Sequence, residues 1–285
     1  MSPAVRVWLR VHGLPAVLLP DYFLLAAVAA VLTSLIALRL ADRDGASRVH
    51  AARALAFAYV AALLGGYVFE AVRAVPAAVI AGSWRPILHA GRAAYGGLLG
   101  ASLAATLYLA AVREPIVPFF DRVAIGCGLT FALVRTGCFL AGCDYGAPTA
   151  APWGVRFPPG SVAAVDHFRR GFVPHGAASL PVHPTQLYEA ALGLLAAALA
   201  SVVIRKRDAR DGLAFATFLT TYAIGRFLIE FLRADDDRGH ALELSTAQWV
   251  SLAIVSGLVF AALRGAVRAR PSAADRPRSW RWARR

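Results

Sequence analysis

Three short stretches of the sequence gather side chains that can hold an anion or move a proton. The first runs Arg135-Thr136-Gly137-Cys138-Phe139-Leu140-Ala141-Gly142-Cys143-Asp144-Tyr145-Gly146. An arginine beside a glycine-lined helix end suits an anionic headgroup, because small residues let a ligand approach the backbone. The alternative is an arginine that snorkels to the interface and pairs with Asp144. The second stretch, His183-Pro184-Thr185-Gln186-Leu187-Tyr188-Glu189, places a proline where a helix opens and crowds Gln186, Tyr188 and Glu189 into its first turn. His183 is either a cap or a base, since a neutral imidazole accepts a proton near neutral pH. In the third, Arg226 to Arg233, Arg226 and Glu230 stand four residues apart and share a helix face. That pair is either a packing device or part of a ligand site. Tyr95, in Tyr95-Gly96-Gly97-Leu98-Leu99-Gly100, and Tyr22 add two phenols, which are interfacial anchors or donors.

The elements that must position these groups are membrane spans. Of 285 residues, 58% are hydrophobic and only 16% charged, too little polar surface for a water-soluble core of this size. Apolar segments of bilayer length recur near 22–40, 51–72, 94–112, 120–141, 184–204, 212–232 and 246–264. They are continuously apolar instead of alternating, so they read as helices and not as strands of a barrel. The predicted fold is an all-α integral membrane protein of seven spans. The first segment follows Arg6 and Arg10 as a signal peptide would, but it is long and precedes a denser basic loop, which favours a retained span. Charges inside spans are expensive and mark functional sites by default, which singles out Arg135, Arg226 and Glu230.

Basic residues favour the cytoplasmic side, and they sort unevenly. The loops after spans one, three and five, with the C-terminal tail, carry 18 Lys and Arg residues, and the opposite side carries ten. This predicts an outer N-terminus and a cytoplasmic C-terminus. The net charge of +13 is then accounted for by anionic membrane lipids beside the inner loops; the basic residues are too dispersed for nucleic-acid binding. In this orientation Tyr22, Tyr95, Arg135, His183 and Glu230 all fall at or near the outer edge of the bilayer.

The long connection 144–183 holds Gly and Pro with apolar islands at Trp153, Phe157, Phe168 and Phe172, and is predicted to form an interfacial cap on the outer face. Residues 1–264 are expected to form one transmembrane domain, and 265–285 a basic cytoplasmic tail. Cys127, Cys138 and Cys143 match no disulfide framework or zinc spacing, so neither metal nor cofactor is expected, and buried thiols between helices are the default. A transporter would call for paired discontinuous helices, and a receptor for longer inner loops or a signalling domain; neither pattern is in the sequence.

In five segments and in matching order, the motifs resemble those of the bacterial prolipoprotein diacylglyceryl transferase family: Tyr95 to Gly100, Arg135 to Gly146 followed by Pro152-Trp153, His183 to Glu189, Arg226 to Arg233, and Leu244-Ser245-Thr246-Ala247-Gln248. The resemblance implies a cell inner-membrane enzyme that moves a diacylglyceryl group from phosphatidylglycerol to the lipobox cysteine thiol of prolipoproteins, the first step of lipoprotein biosynthesis. It implies that Arg135 and Arg226 hold the headgroup, with Glu230 orienting Arg226, and that Gly146 lets the chain pass close to lipid. Gln186 and Tyr188 then belong to the substrate-binding set, and His183, Tyr95, Tyr22 and Cys138 to the catalytic set. Three positions depart from the family pattern: Cys138 replaces an asparagine, Cys143 an acidic residue and Tyr95 a histidine. Cys138 lacks the amide's paired donor and acceptor, and Tyr95 is a weak base near neutral pH. These exchanges leave open a divergent paralogue that serves another acceptor.

Overall fold

The computed structural model describes residues 22–88, 94–205, 211–234 and 240–268. Seven helices among them are long and apolar enough to cross a membrane: α1 (Tyr22–Arg43), α2 (Arg48–Arg73), α5 (Ala94–Ala111), α6 (Ile116–Ala141), α8 (Thr185–Ile204), α9 (Leu213–Ile229) and α10 (Thr246–Arg268). Three short helices, α3 (Val75–Ala81), α4 (Arg85–Leu88) and α7 (Val162–Arg169), lie between them. A 3-10 turn (Glu230–Leu232) prolongs α9, and β1 (His240–Ala241) pairs with β2 (Leu244–Ser245) in an antiparallel hairpin.

The spans agree with the hydrophobic segments to within a few residues. Where they differ, a local signal explains it. α2 starts before its apolar stretch because Ser47 caps it, accepting a hydrogen bond from the His50 N–H, and α6 starts early because Pro118 is tolerated in a first turn. Large apolar side chains such as Leu63 and Leu64 in α2, and Leu99 and Leu103 in α5, face outward, the inverse of a water-soluble helix. The protein is a multi-pass membrane protein. Arg6, Arg10, Arg92 and nearly all of the basic tail lie outside the described residues.

The chain divides into two compact units, 22–137 with 193–218, and 138–192 with 219–268. In the first, small residues set the packing. Gly96 and Gly100 of α5 meet the backbone of Ala61 and Gly65 in α2 so closely that no Cβ fits, as small-xxx-small pairs do in membranes. Ala37, Ala41, Ala51, Ala54, Leu55, Ala105, Leu109 and Phe119 form its core. Asp121 accepts hydrogen bonds from the N–H groups of Gly212 and Phe215, at 2.6 and 2.7 Å, which fixes the start of α9.

In the second unit the connection 144–183 is folded. Tyr145, Phe157, Ala163 and Val182 make a small core, and isolated bridges join Gly146 to Arg233, Pro148 to Val182 and Val155 to Val182. Ser161 caps α7 through the N–H of Ala164. His167 is buried, its Nδ1 accepting from the N–H of Leu180 at 3.1 Å, with Tyr145 and Phe172 edge-on to its ring. Burial lowers its pKa, and Arg170 adds to the effect against the opposing charge of Asp166. Of the four aromatic islands Phe157 is core, while Trp153, Phe168 and Phe172 are exposed.

Candidate active site

The site is built from the ends of helices. α6 stops at a Schellman turn: the N–H of Gly142 donates to the carbonyl of Phe139 at 3.1 Å and that of Cys143 to the carbonyl of Cys138 at 3.2 Å. Gly142 takes the left-handed conformation this turn requires, with φ of 71°. Asp144, with φ of 56°, adopts it too, a conformation that short polar side chains tolerate best. The carbonyls released at this end bind the start of α8. Thr185 Oγ1 donates to the Asp144 carbonyl at 2.8 Å, and Gln186 Nε2 to the Cys143 carbonyl at 2.6 Å. Thr185, Gln186 and Glu189 are all buried.

From this junction a ladder of alternating charge runs through the unit. Asp144 Oδ1 pairs with Arg233 Nη2 at 2.7 Å, and Arg233 Nη1 reaches Glu189 Oε1 at 3.4 Å. Arg226 Nε lies 3.5 Å from Glu189 Oε2, and Arg226 Nη1 is paired closely with Glu230 Oε2. Tyr222 donates to Glu189 at 3.4 Å. The Glu189 side chain is 0% exposed, that of Glu230 2%, Arg233 4% and Arg226 11%, against 30% for Asp144, so the ladder is buried along its length and Asp144 is its most exposed member. Charges held at this depth persist only when paired. The last rung rests on α10, where Ser245 and Gln248 form a reciprocal capping box. The Gln248 N–H donates to Ser245 Oγ, and the Ser245 N–H donates to Gln248 Oε1. The Ser245 hydroxyl also bonds the Glu230 carboxylate.

A second cluster stands at the mouth of α8. His183 Nδ1 lies 3.2 Å from Tyr188 Oη, which accepts a hydrogen bond from Trp153 Nε1 at 2.8 Å. The phenol oxygen has two lone pairs. The tautomer in which His183 Nδ1–H also donates to it leaves Nε2 as a proton acceptor. Gly146 lies behind: a Cβ there would stand 2.7 Å from His183 Cβ, the His183 carbonyl and the Leu232 carbonyl. The close approach that this glycine permits is therefore to protein backbone, and its N–H donates to the His183 carbonyl at 2.9 Å.

Of the residues singled out from sequence, the structure brings Cys138, Gly146, His183, Gln186, Tyr188, Arg226 and Glu230 into one unit. Arg135 and Tyr95 belong to the other unit, both half-buried, Arg135 three residues before Cys138 on α6 and Tyr95 in the first turn of α5. Tyr22 opens α1, and its side chain lies outside the described residues. The expected Arg226–Glu230 pair is present. Sequence reasoning left Arg233 among the loop charges and Glu189 as one polar group in a helix turn, yet these two join the halves of the ladder. Their signal was available, since both lie inside the motif stretches next to residues already chosen. Asp144, first weighed as a partner for Arg135, is paired with Arg233.

A bundle of membrane-spanning helices that shields alternating arginines and carboxylates, open at one carboxylate, defines a multi-pass membrane protein with a buried ionic site. Comparison with known sequences gives the family: the model of the prolipoprotein diacylglyceryl transferase family matches residues 13–263, and the chain belongs to that family. It is similar to the phosphatidylglycerol–prolipoprotein diacylglyceryl transferase of Clostridium tetani, with 33% identity over 55% of this chain and 57% of the relative. The transferase 2 of Clostridium perfringens is 32% identical over 57% of this chain and 58% of that protein. The corresponding transferase of Symbiobacterium thermophilum is 36% identical over 52% of each. The chain thus spans little more than half the length of the curated relatives it matches.

Proposed function

We propose that this protein transfers the diacylglyceryl group of phosphatidylglycerol to the lipobox cysteine thiol of a prolipoprotein. The observation that carries the reading is the ladder from Asp144 to Glu230, in which two arginines with planar, bidentate forks are held rigid by three carboxylates inside a chain of this family. In the reaction the acceptor thiol loses its proton, because thiolate is the nucleophile. Its sulfur attacks the diacylglycerol carbon, the C–S bond forms as the C–O bond to phosphate breaks, and glycerol phosphate departs with an added negative charge. Arg226, oriented by Glu230 and Glu189, offsets that charge, and the family resemblance assigns Arg135 to headgroup binding as well. His183 Nε2 receives the thiol proton while Tyr188, itself fixed by Trp153, holds the ring. Tyr95, Tyr22 and Cys138 complete the catalytic set, and Gln186 the binding set. Gln186 Oε1 is buried and has no donor among the described residues, and a hydroxyl of the glycerol headgroup is a donor of the matching kind.

The same reading places the N-terminus outside, the tail 265–285 in the cytoplasm and the folded connection 144–183 as a cap on the outer face. In that orientation the mouth of α8 and the end of α6 face the side on which secreted precursors emerge. Complementation tests it. Expression in bacteria depleted of their own diacylglyceryl transferase should restore growth and the gel shift of a reporter lipoprotein. An inserted, well-expressed chain that restores neither shows that the acceptor is not a prolipoprotein.

A further inference from the structure

The Schellman turn that ends α6 has a consequence for its cysteines. Its two hydrogen bonds bring together the side chains of the third residue before the cap and the second after it. In this chain those residues are Cys138 and Cys143. Their sulfurs and an Asp144 carboxylate oxygen all lie within 4.8 Å of one another, the Cys143 thiol donating to Asp144 Oδ2 at 3.3 Å. All three cysteines are free thiols; Cys138 is buried and Cys143 half-exposed. A disulfide needs about 2.05 Å between sulfurs, and the contact across the turn already places the two sulfurs within 4.8 Å of one another.

We propose that Cys138 and Cys143 are a redox-active pair that closes to an intramolecular disulfide by exchange with a small-molecule disulfide. The Cys138 contact, burial and Asp144 raise the pKa of the Cys143 thiol, so the more accessible Cys143 attacks through its minor thiolate fraction, forming a mixed disulfide and releasing one oxidant thiol. Cys138 then attacks Cys143 Sγ, the protein disulfide forms and the second oxidant thiol leaves. Two protein thiols lose two electrons and two protons, and the oxidant disulfide gains them. In the orientation proposed above this end of α6 faces the oxidising side of the membrane, and Cys127, eleven residues earlier on α6, takes no part. Closure staples the turn whose carbonyls hold α8 and whose Asp144 anchors the ladder, and it removes the thiol donor from Asp144. The inference extends beyond diacylglyceryl transfer; it rests on that reading for the orientation of α6 alone, and its readout does not use the activity.

The test uses the full chain purified in detergent, treated with oxidised glutathione, denatured, alkylated and cleaved after arginine. Peptide 136–156 holds both cysteines and peptide 123–135 holds Cys127. The expected result is peptide 136–156 lighter by two hydrogen atoms and unalkylated, peptide 123–135 fully alkylated, and two alkylations regained on 136–156 after reduction. Cys138→Ser should trap glutathione on Cys143. Full alkylation of 136–156 after oxidation, or stable glutathione on the wild-type peptide, would overturn the proposal.

Discussion

Arg233→Gln removes a partner from the driest member of the ladder, Glu189. The substitution deprives two carboxylates of a partner, and their fates differ. Asp144 keeps 30% exposure and can be hydrated, whereas Glu189 has none and loses one of its two arginines, keeping Arg226 at 3.5 Å and Tyr222 at 3.4 Å. Breaking a buried pair from one side costs about 3–5 kcal/mol. At roughly 2–4 °C per kcal/mol for a chain of this size, the melting temperature should fall by about 6–20 °C. Glu189→Gln is milder, about 1–3 kcal/mol, because both arginines keep a nearer carboxylate: Arg233 has Asp144 at 2.7 Å, and Arg226 has Glu230 in close contact. Adding Glu189→Gln to Arg233→Gln removes the stranded charge, so the double variant should be more stable than Arg233→Gln alone. Thermal unfolding in detergent, followed by tryptophan fluorescence, reads all three. A melting point for Arg233→Gln within 2 °C of wild type, a shift of roughly 1 kcal/mol or less, would refute the claim that the ladder holds the unit together. So would a double variant that sums the two losses.

Other substitutions follow from the same geometry. Gly146→Ala would drive a Cβ to 2.7 Å from two carbonyl oxygens and a side-chain carbon, so the yield of folded protein should drop with a loss of about 1–3 kcal/mol, measured by thermal unfolding. Arg135→Lys and Arg226→Lys keep charge but lose the planar fork; each should reduce lipidation of a lipobox peptide severalfold or more, and full activity in Arg226→Lys would remove that residue from headgroup binding. The pKa of His167 is lowered in the fold, so the unfolded chain takes up the proton first. Stability should be complete above about pH 6.5 and decline as pH falls through that value. Melting temperatures between pH 7.5 and 5 should show this decline, and His167→Asn should remove that component.

The spans were legible because burial in lipid leaves a one-dimensional signature, continuous apolar stretches of bilayer length. So was the Arg226–Glu230 pair, since four residues on a helix is a local relation. The ladder was not, because its joints are distant in sequence: Asp144 and Arg233 are 89 residues apart, and Glu189 and Arg233 are 44 apart. Arg233 reads as a loop charge until the 3-10 turn at Glu230–Leu232 and the bridge to Gly146 carry it inward. Gly146 is expected to let the chain pass close to lipid; what a Cβ there would meet among the described residues is His183 and the Leu232 carbonyl, partners remote in sequence. Helical periodicity relates Cys127 to Cys138, eleven residues or about three turns apart, and gives no sign of a Cys138–Cys143 contact. The turn that brings Cys138 to Cys143 begins where that periodicity ends.

Transfer from lipid to thiol can be read in a reconstituted system with no other protein present. The purified chain, placed in vesicles of phosphatidylglycerol with a labelled headgroup, is given a lipobox peptide with one cysteine. The account predicts a peptide heavier by a diacylglyceryl group in thioether linkage, one glycerol phosphate released for each thioether formed, and loss of both in His183→Gln. A chain with unchanged melting temperature that forms no thioether, or that releases headgroup without modifying the peptide, would contradict it.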